Sequence, residues 1–347
     1  MLISLHKQAT TTPRIRAAIQ ASDEPALFCR SASTGGIPGP AVDACRSEIS
    51  RAMSRCEGNG PVGPRVRPKG LPSFKRDRDT FFRHPEGSTC AFRLTSHCTT
   101  RFPRPNTVFL TLDAGNTEGQ RIMQKKLELG DAELYRIVGD AGIGERIWAC
   151  VKGREMILTY RALLDIIRPN RPLHALDAAP LHLIPGEVAP YLRPSRYCQS
   201  DKFVTFVEKR FGHLAGGTRV GAIRDWIEAE LTYVPGSSDA DTNVLETFAG
   251  RQGVCRDYAH LMCSMARAAQ IPARMVAVYS PDVTPPDFHA VAEVWLSGQW
   301  HLVDATGMGS ADTMAVIAVG RDAYDVAFMD SQAPAEMVSQ SVNVSRA

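Results

Sequence analysis

The stretch GVCRDYAHL, residues 253–261, places a cysteine two residues after a glycine, at the start of a segment with the pattern of an amphipathic helix. A thiol in the first turn of a helix lies at the positive end of the helix dipole, which favours the thiolate form. A thiolate is a nucleophile, and nucleophilic catalysis also needs a base and a third group that orients the base. Cys255 is therefore the candidate nucleophile, whereas Cys263 in the middle of the same helix is expected in the core.

Candidates for the base and its orienting group follow in DFHAVAEVWLSGQWHLVDATG. This pattern predicts a β-hairpin with strands at 288–296 and 299–306 and a two-residue turn at Ser297–Gly298. In that register His289 and Asp304 lie on one face as diagonal neighbours, roughly 7–8 Å apart at the backbone and within side-chain reach. Taken singly, His289 fits a sheet histidine and Asp304 a turn residue. Their shared register favours a Cys-His-Asp triad.

The cysteines suggest neither a metal site nor a disulfide framework. Cys255, His260 and Cys263 lie at offsets that scatter them around a helix, so their side chains could not converge on one ion. The chain has nine cysteines, an odd number with irregular spacing and no C-x-x-C pair. We predict no metal and no cofactor.

The predicted secondary structure that must position the triad changes along the chain from strands alone to helices followed by strands. Residues 88–180 have the pattern of strands broken by Gly, Asn or Pro, which indicates a small antiparallel β domain, with a β-sandwich as its candidate architecture. A hairpin turn is predicted at VKGRE. Residues 181–335 read as helices followed by antiparallel strands, which is typical of an α+β catalytic domain. Residues 336–347 are expected to be a C-terminal tail.

The helices of residues 181–335 have clear local signals. Ser200 or Asp201 is predicted to cap KFVTFVEKRF, and Gly212 to end it. The next segment, TRVGAIRDWIEAELTYV, carries an apolar stripe of Val220, Ile223, Ile227 and Leu231.

The amino-terminal segment has a different composition. Residues 1–87 contain nine Pro and eight Gly and little periodicity, so we expect them to be disordered or an upstream extension without a structural role. They hold 14 Lys/Arg and 8 Asp/Glu, a net of +6, which leaves −3 for residues 88–347 out of the chain's +3. This segment lacks interleaved aromatic residues and a helix-turn-helix pattern, so we expect no nucleic-acid partner. Without a long apolar run or a secretory signal, we expect a cytoplasmic protein with no membrane partner.

These motifs resemble those of the transglutaminase-like cysteine enzymes, which share the papain-type catalytic arrangement. The resemblance rests on GVCRDYAHL, then DFHA, then VDAT, in order and with fitting gaps, and it extends to LRPSRYCQSD, YVPGSSDA and GRDAYDVAF of the bacterial branch. It covers roughly residues 180–330 and, less distinctively, the strands before them. The fold it implies is a papain-like, transglutaminase-type α+β core preceded by a small antiparallel β domain.

The resemblance also implies roles for the site residues. Cys255 would be the nucleophile, His289 the general base and acid, and Asp304 the orienting group, acting through a thioester formed from a peptide or carboxamide bond. The oxyanion would be held by the Cys255 backbone N–H and a second donor, for which Gln252, Tyr233 and Trp226 are the candidates. Calcium dependence is not implied.

The triad leaves the acyl acceptor open. Transfer to water would make the protein a peptidase or amidase acting on a protein or peptide, which is the expectation for the bacterial branch. Transfer to an amine would make it a protein-glutamine transglutaminase. The third hypothesis is a non-catalytic binding module with the same fold, and the oligomeric state is left unspecified.

Overall fold

The computed structural model describes residues 3–5, 90–169 and 171–347. The expectation of disorder for residues 1–87 therefore lies outside the described residues, except for a short strand at Ile3–Leu5. Within the described ranges no helix is long and apolar enough to cross a membrane.

The strands before residue 170 are β1 (Ile3–Leu5), β2 (Cys90–Arg101), β3 (Asn106–Asp113), β4 (Gln120–Leu129), β5 (Ala132–Val138), β6 (Glu145–Val151) and β7 (Glu155–Ile166). The helices are α1 (Val204–Phe211), α2 (Gly216–Glu230), α3 (Val244–Gly250) and α4 (Cys255–Ala268). The later strands are β8 (Thr232–Tyr233), β9 (Gln252–Gly253), β10 (Ala273–Tyr279), β11 (His289–Leu296), β12 (Gln299–Val303), β13 (Ala315–Gly320), β14 (Met329–Ser331) and β15 (Glu336–Arg346).

Strands β1 to β7, joined by β14 and β15 from the end of the chain, build two sheets that share one hydrophobic core. One sheet has the strand order β15-β2-β7-β4 and the other β1-β14-β3-β6-β5. Alternate residues of each strand point inward, so Leu94 and Leu158 of one sheet and Leu110 and Ile147 of the other are fully buried in the same cluster. The predicted hairpin at VKGRE is wrong, because β6 and β7 belong to different sheets and this turn crosses between them.

The carboxyl-terminal strands correct the predicted domain boundaries. Residues 336–347 are not a tail: β15 pairs antiparallel with β2 along almost its whole length, and β14 pairs with β3. Both strands satisfy backbone groups that would otherwise be left at the edges of the β sheets. The described residues from 90 onward accordingly fall in one compact unit rather than in separate domains at 88–180 and 181–335.

The second half of the chain packs helices against a four-stranded antiparallel sheet of order β12-β11-β10-β13. The predicted apolar stripe of α2 is confirmed, since Val220, Ile223 and Ile227 are completely buried. The predicted end of α1 at Gly212 is confirmed, but its predicted N-cap is wrong. Ser200 begins a separate 3-10 turn and α1 starts at Val204 without a side-chain cap. The α+β fold class is confirmed.

Candidate active site

The turn before α4 is built so that Cys255 is the first residue of the helix. Val254 is extended, and its N–H donates to the Oδ2 atom of Asp257 at 2.8 Å. A side chain at Gly253 would not fit, because its Cβ would lie 2.6 Å from the Cβ of Asp257. Glycine before the cysteine therefore serves close packing against Asp257.

Asp257 also forms an ion pair with its neighbour Arg256. It is completely buried and pairs with the buried guanidinium of Arg256, whose Nη2 also donates to the Asp239 carbonyl oxygen at 2.6 Å. Sequence reasoning missed this pair, although a carboxylate at the third position of a helix is a known start signal. The pair fixes the backbone on which Cys255 is mounted.

We expect Asp257→Ala to lower the free energy of unfolding by about 3 kcal/mol, because it leaves a buried arginine without its partner. Urea unfolding followed by circular dichroism measures this change. The matched control is Asp201→Ala, which removes a solvent-exposed pair with Lys202 and should cost less than about 1 kcal/mol. Equal effects of the two substitutions would contradict a structural role for Asp257.

The predicted hairpin is confirmed in its turn and its register. Ser297 and Gly298 have φ values of 48° and 78°, the left-handed conformation that tight two-residue hairpins require. Trp295 lies opposite Trp300 across the turn, and the ladder of β11 and β12 ends at Val303. Asp304 therefore follows directly after the last paired residue.

His289 and Asp304 meet as predicted. Nε2 of His289 lies 3.0 Å from Oδ2 of Asp304, and both side chains are buried. The carboxylate also accepts hydrogen bonds from the backbone N–H and hydroxyl of Thr306 on Oδ1 and from the N–H of Gly309 on Oδ2. These four donors hold one orientation of Asp304, and through it one orientation of the imidazole. Thr306 and Gly309 were not identified from the sequence.

The other ring nitrogen of His289, Nδ1, is buried and is not used by Asp304. Burial alone would lower the pKa of His289, but hydrogen bonds with Asp304 and with Cys255 outweigh burial and raise this pKa to about 10. Because Nε2 is taken by Asp304, and Nδ1 has no nitrogen or oxygen partner among the described residues, we infer that Nδ1 faces Cys255. The structure thus brings the three predicted residues together.

Asp304 is kept charged by the same contacts. Burial would raise the pKa of Asp304, yet the hydrogen bonds from His289 and Thr306 hold it below its ordinary value. A negative Asp304 next to His289 stabilises the imidazolium form. The site can therefore hold a proton on His289.

The raised pKa of His289 predicts a pH dependence of stability. A basic group whose pKa is higher in the folded state stabilises the fold while it is charged. This contribution is complete below about pH 6.5, the ordinary pKa of histidine, and is lost as the pH rises to about 10. We expect the melting temperature of the wild type to fall more steeply between these limits than that of His289→Gln. Parallel curves in a thermal-shift titration would contradict the raised pKa.

Comparison with known proteins agrees with this geometry. The profile of the transglutaminase-like superfamily matches residues 207–305, which include the cysteine, the histidine and the aspartate. The crystal structure of a candidate cysteine protease from Cytophaga hutchinsonii superposes with a TM-score of 0.70 and 31% identity, covering 75% of this chain and 91% of that one. The chain belongs to the transglutaminase-like superfamily.

Two mycobacterial relatives of this transglutaminase-like protein are shorter matches. A Mycobacterium leprae protein is 29% identical over 146 residues, or 39% of this chain and 52% of that protein. A Mycobacterium tuberculosis protein is 33% identical over 115 residues, or 29% and 37%. Both are named as uncharacterised proteins, and the chain spans about half of their length or less.

Two segments of the transglutaminase-like chain outside the triad, LRPSRYCQSD and GRDAYDVAF, contact α4. Arg267 of α4 donates to the carbonyl oxygens of Arg193 and Arg321, which belong to LRPSRYCQSD and GRDAYDVAF. The N–H of Tyr197 in the first segment donates to Asp322 in the second at 3.0 Å, and the Tyr197 ring stacks on His260 of α4. Both segments therefore position the helix that carries the nucleophile.

Of the three candidates for the second oxyanion donor, Tyr233 has the most suitable position. It lines a cavity of about 340 Å³ together with His289 and the prolines at 285 and 286. Trp226 packs instead among Phe206, Phe211 and Phe248. Gln252 is exposed. The donor role of Tyr233 remains a prediction.

The remaining described thiols differ from Cys255 in their surroundings. Cys255 is 8% exposed, whereas Cys198 and Cys263 have no exposed surface, as expected for Cys263. Burial raises the pKa of Cys198 to about 11 and that of Cys263 even further. These two thiols are internal references for the reactivity of Cys255.

Proposed function

We propose that the protein is a cysteine-dependent hydrolase of peptide or carboxamide bonds that acts through a thioester on Cys255. The observation that carries the proposal is the buried imidazole of His289, which Asp304 holds through Nε2 and whose pKa is raised by both Asp304 and Cys255. The likeness to a candidate cysteine protease over 91% of that chain supports the choice of a peptidase.

The steps follow from the positions of these groups. The Cys255 thiolate attacks the carbonyl carbon of the substrate, and the carbonyl oxygen becomes an oxyanion that accepts a hydrogen bond from the Cys255 backbone N–H. When the tetrahedral intermediate collapses, the C–N bond breaks and His289 donates its proton to the leaving amine. A thioester between Cys255 and the acyl group remains.

Hydrolysis of the thioester regenerates the enzyme. Neutral His289 takes a proton from a water molecule, whose oxygen attacks the thioester carbonyl carbon. The C–S bond then breaks, the acid is released, and the thiolate and imidazolium are restored. Asp304 stays ionised throughout and stabilises the imidazolium. The cavity that Tyr233 and His289 line, with prolines 285 and 286, is where we place the acyl side of the substrate.

The test is a digest of a complex peptide mixture in H₂¹⁸O with and without a biotinylated alkylamine, read by mass spectrometry. We expect new carboxyl groups that carry ¹⁸O, present with wild type and with Cys150→Ala but absent with Cys255→Ala. Cys150 is the control because it is only half-buried and lies outside the triad. Incorporation of the amine into glutamine side chains instead of ¹⁸O would identify the alternative, a transglutaminase. No Cys255-dependent product of either kind would overturn the proposal in favour of a binding module.

A further inference from the structure

A second cavity, of about 370 Å³, is lined by Asp304 but not by Cys255 or His289. Its walls are the strand β12 and the segment that follows β7, with the loop after Asp304 at one side. This volume lies within the range of small-molecule sites. The proposed mechanism does not use this cavity.

The cavity is lined by three arginines, and two of them lack an acidic partner. Nη1 of Arg168 donates to the carbonyl oxygens of Ala311 and Met314, at 2.7 and 2.9 Å. Arg171 makes a single long hydrogen bond, 3.4 Å to the amide oxygen of Gln299. Within the part of the chain that the structure describes, neither guanidinium forms an ion pair. The third, Arg224, pairs only with its neighbour Asp225, which does not line the cavity.

The charge of Arg168 is poorly compensated. Burial lowers the pKa of this guanidinium, and the nearby carboxylates of Glu293 and Asp312 offset only part of this effect. A buried cation in this state gains most from an anion placed beside it. Arg168 is thus a fixed and partly desolvated cation at the wall of an open cavity.

The cavity is lined by two acidic residues, fewer than its three arginines. Glu118 is exposed, and Asp304 is satisfied by His289, Thr306 and Gly309. His301, which also lines the cavity, has its pKa lowered by burial and is neutral at neutral pH. The cavity lining therefore carries more positive than negative side chains, and Arg168 is the one held by two short hydrogen bonds.

We propose that this cavity binds a small oxyanionic ligand with at least two negative charges on phosphate or carboxylate oxygens. The planar guanidinium group matches both kinds of oxyanion with paired N–H donors. The ligand would contact the loop from Gly309 to Ala311, which holds Asp304 through the N–H of Gly309 and is itself held by Arg168. This site is independent of the proposed hydrolysis, because no triad atom except those of the already satisfied Asp304 faces it.

The test is isothermal titration calorimetry of the full chain with inorganic pyrophosphate and, separately, with citrate, at constant ionic strength. We expect saturable binding at one site per chain, and the probe that binds more tightly assigns phosphate or carboxylate chemistry. Arg171→Gln and Arg224→Gln should each weaken binding about tenfold or more, since each removes one charge-assisted contact. Arg168 is left intact because its hydrogen bonds hold the loop.

The matched control is Arg210→Gln. Arg210 lies over the Trp226 ring outside this cavity, so its loss should leave the affinity unchanged. Both cavity variants remove long or surface-exposed contacts, and unchanged melting temperatures show that they fold. Absence of saturable heat with both probes would overturn the proposal. Equal weakening by Arg210→Gln would also overturn it, since this is the behaviour of a diffuse surface charge.

Discussion

Cys255 is expected to be the first described cysteine to react with limiting iodoacetamide at pH 6, and His289→Ala is expected to slow this reaction by about a hundredfold. The thiolate is the reacting species, and an ordinary thiol is less than about one part in a hundred thiolate at this pH. The imidazole that faces Cys255 accepts the thiol proton and keeps it, because Asp304 stabilises the imidazolium. Peptide mass spectrometry of each alkylated cysteine measures the rates site by site.

The internal references make this result decisive. Cys198 and Cys263 are buried and have raised pKa values, so they should stay unlabelled in folded protein and become labelled only when the variant unfolds. A His289→Ala sample in which these two thiols are labelled has lost its fold, and its labelling rates do not test the pair of Cys255 and His289. If iodoacetamide labels Cys255 of the folded wild type no faster than the half-buried Cys150, the thiolate–imidazolium pair is refuted. The binding module then becomes the better hypothesis.

Asp304→Asn is expected to reduce the Cys255-dependent hydrolysis by up to about 10⁴-fold, the loss seen when an amide replaces the carboxylate of a serine-protease triad. Asparagine can still accept hydrogen bonds from Thr306 through its oxygen, but it carries no charge to stabilise the imidazolium. The substitution should therefore lower the pKa of His289 from about 10 towards the ordinary value. Steady-state kinetics and an NMR titration of the imidazole measure the two effects.

Thr306→Val is the control for Asp304→Asn. It removes one hydroxyl donor to Asp304 at 2.7 Å while leaving the charge in place, so we expect a loss of only about tenfold, as for other outer supporting contacts. The pKa of His289 should then stay raised. If Asp304→Asn retains full activity with an unchanged pKa of His289, Asp304 is a structural residue and not the orienting group.

The triad could be recognised from the sequence because each part depends on short-range rules. The helix pattern that begins at Cys255 is local, and two-residue turns such as Ser297–Gly298 determine the pairing of every later residue in the hairpin. Because side chains alternate between the two faces of a strand, this pairing predicts that His289 and Asp304 lie on the same face, and the prediction needs no knowledge of the rest of the fold. The apolar stripe of α2 followed from helical periodicity in the same way.

Contacts between distant segments could not be obtained from such rules. Strand β15 pairs with β2, which lies more than two hundred residues earlier in the chain. This pairing depends on which sheet edge is open, and the local pattern of residues 336–347 does not contain this information. The turn at VKGRE has the residues of a hairpin, yet β6 and β7 enter different sheets because each finds its partner elsewhere.

The order and spacing of Cys255, His289 and Asp304, together with their resemblance to the transglutaminase-like motifs, thus predicted the chemistry of the site from one helix start and one hairpin. The tertiary structure alone decided what surrounds them: the buried pair of Arg256 and Asp257 under the nucleophile, and the cavity where Arg168 meets the loop after Asp304. Periodicity and turn chemistry act over a few residues, whereas burial and charge compensation depend on which segments the folded chain brings together.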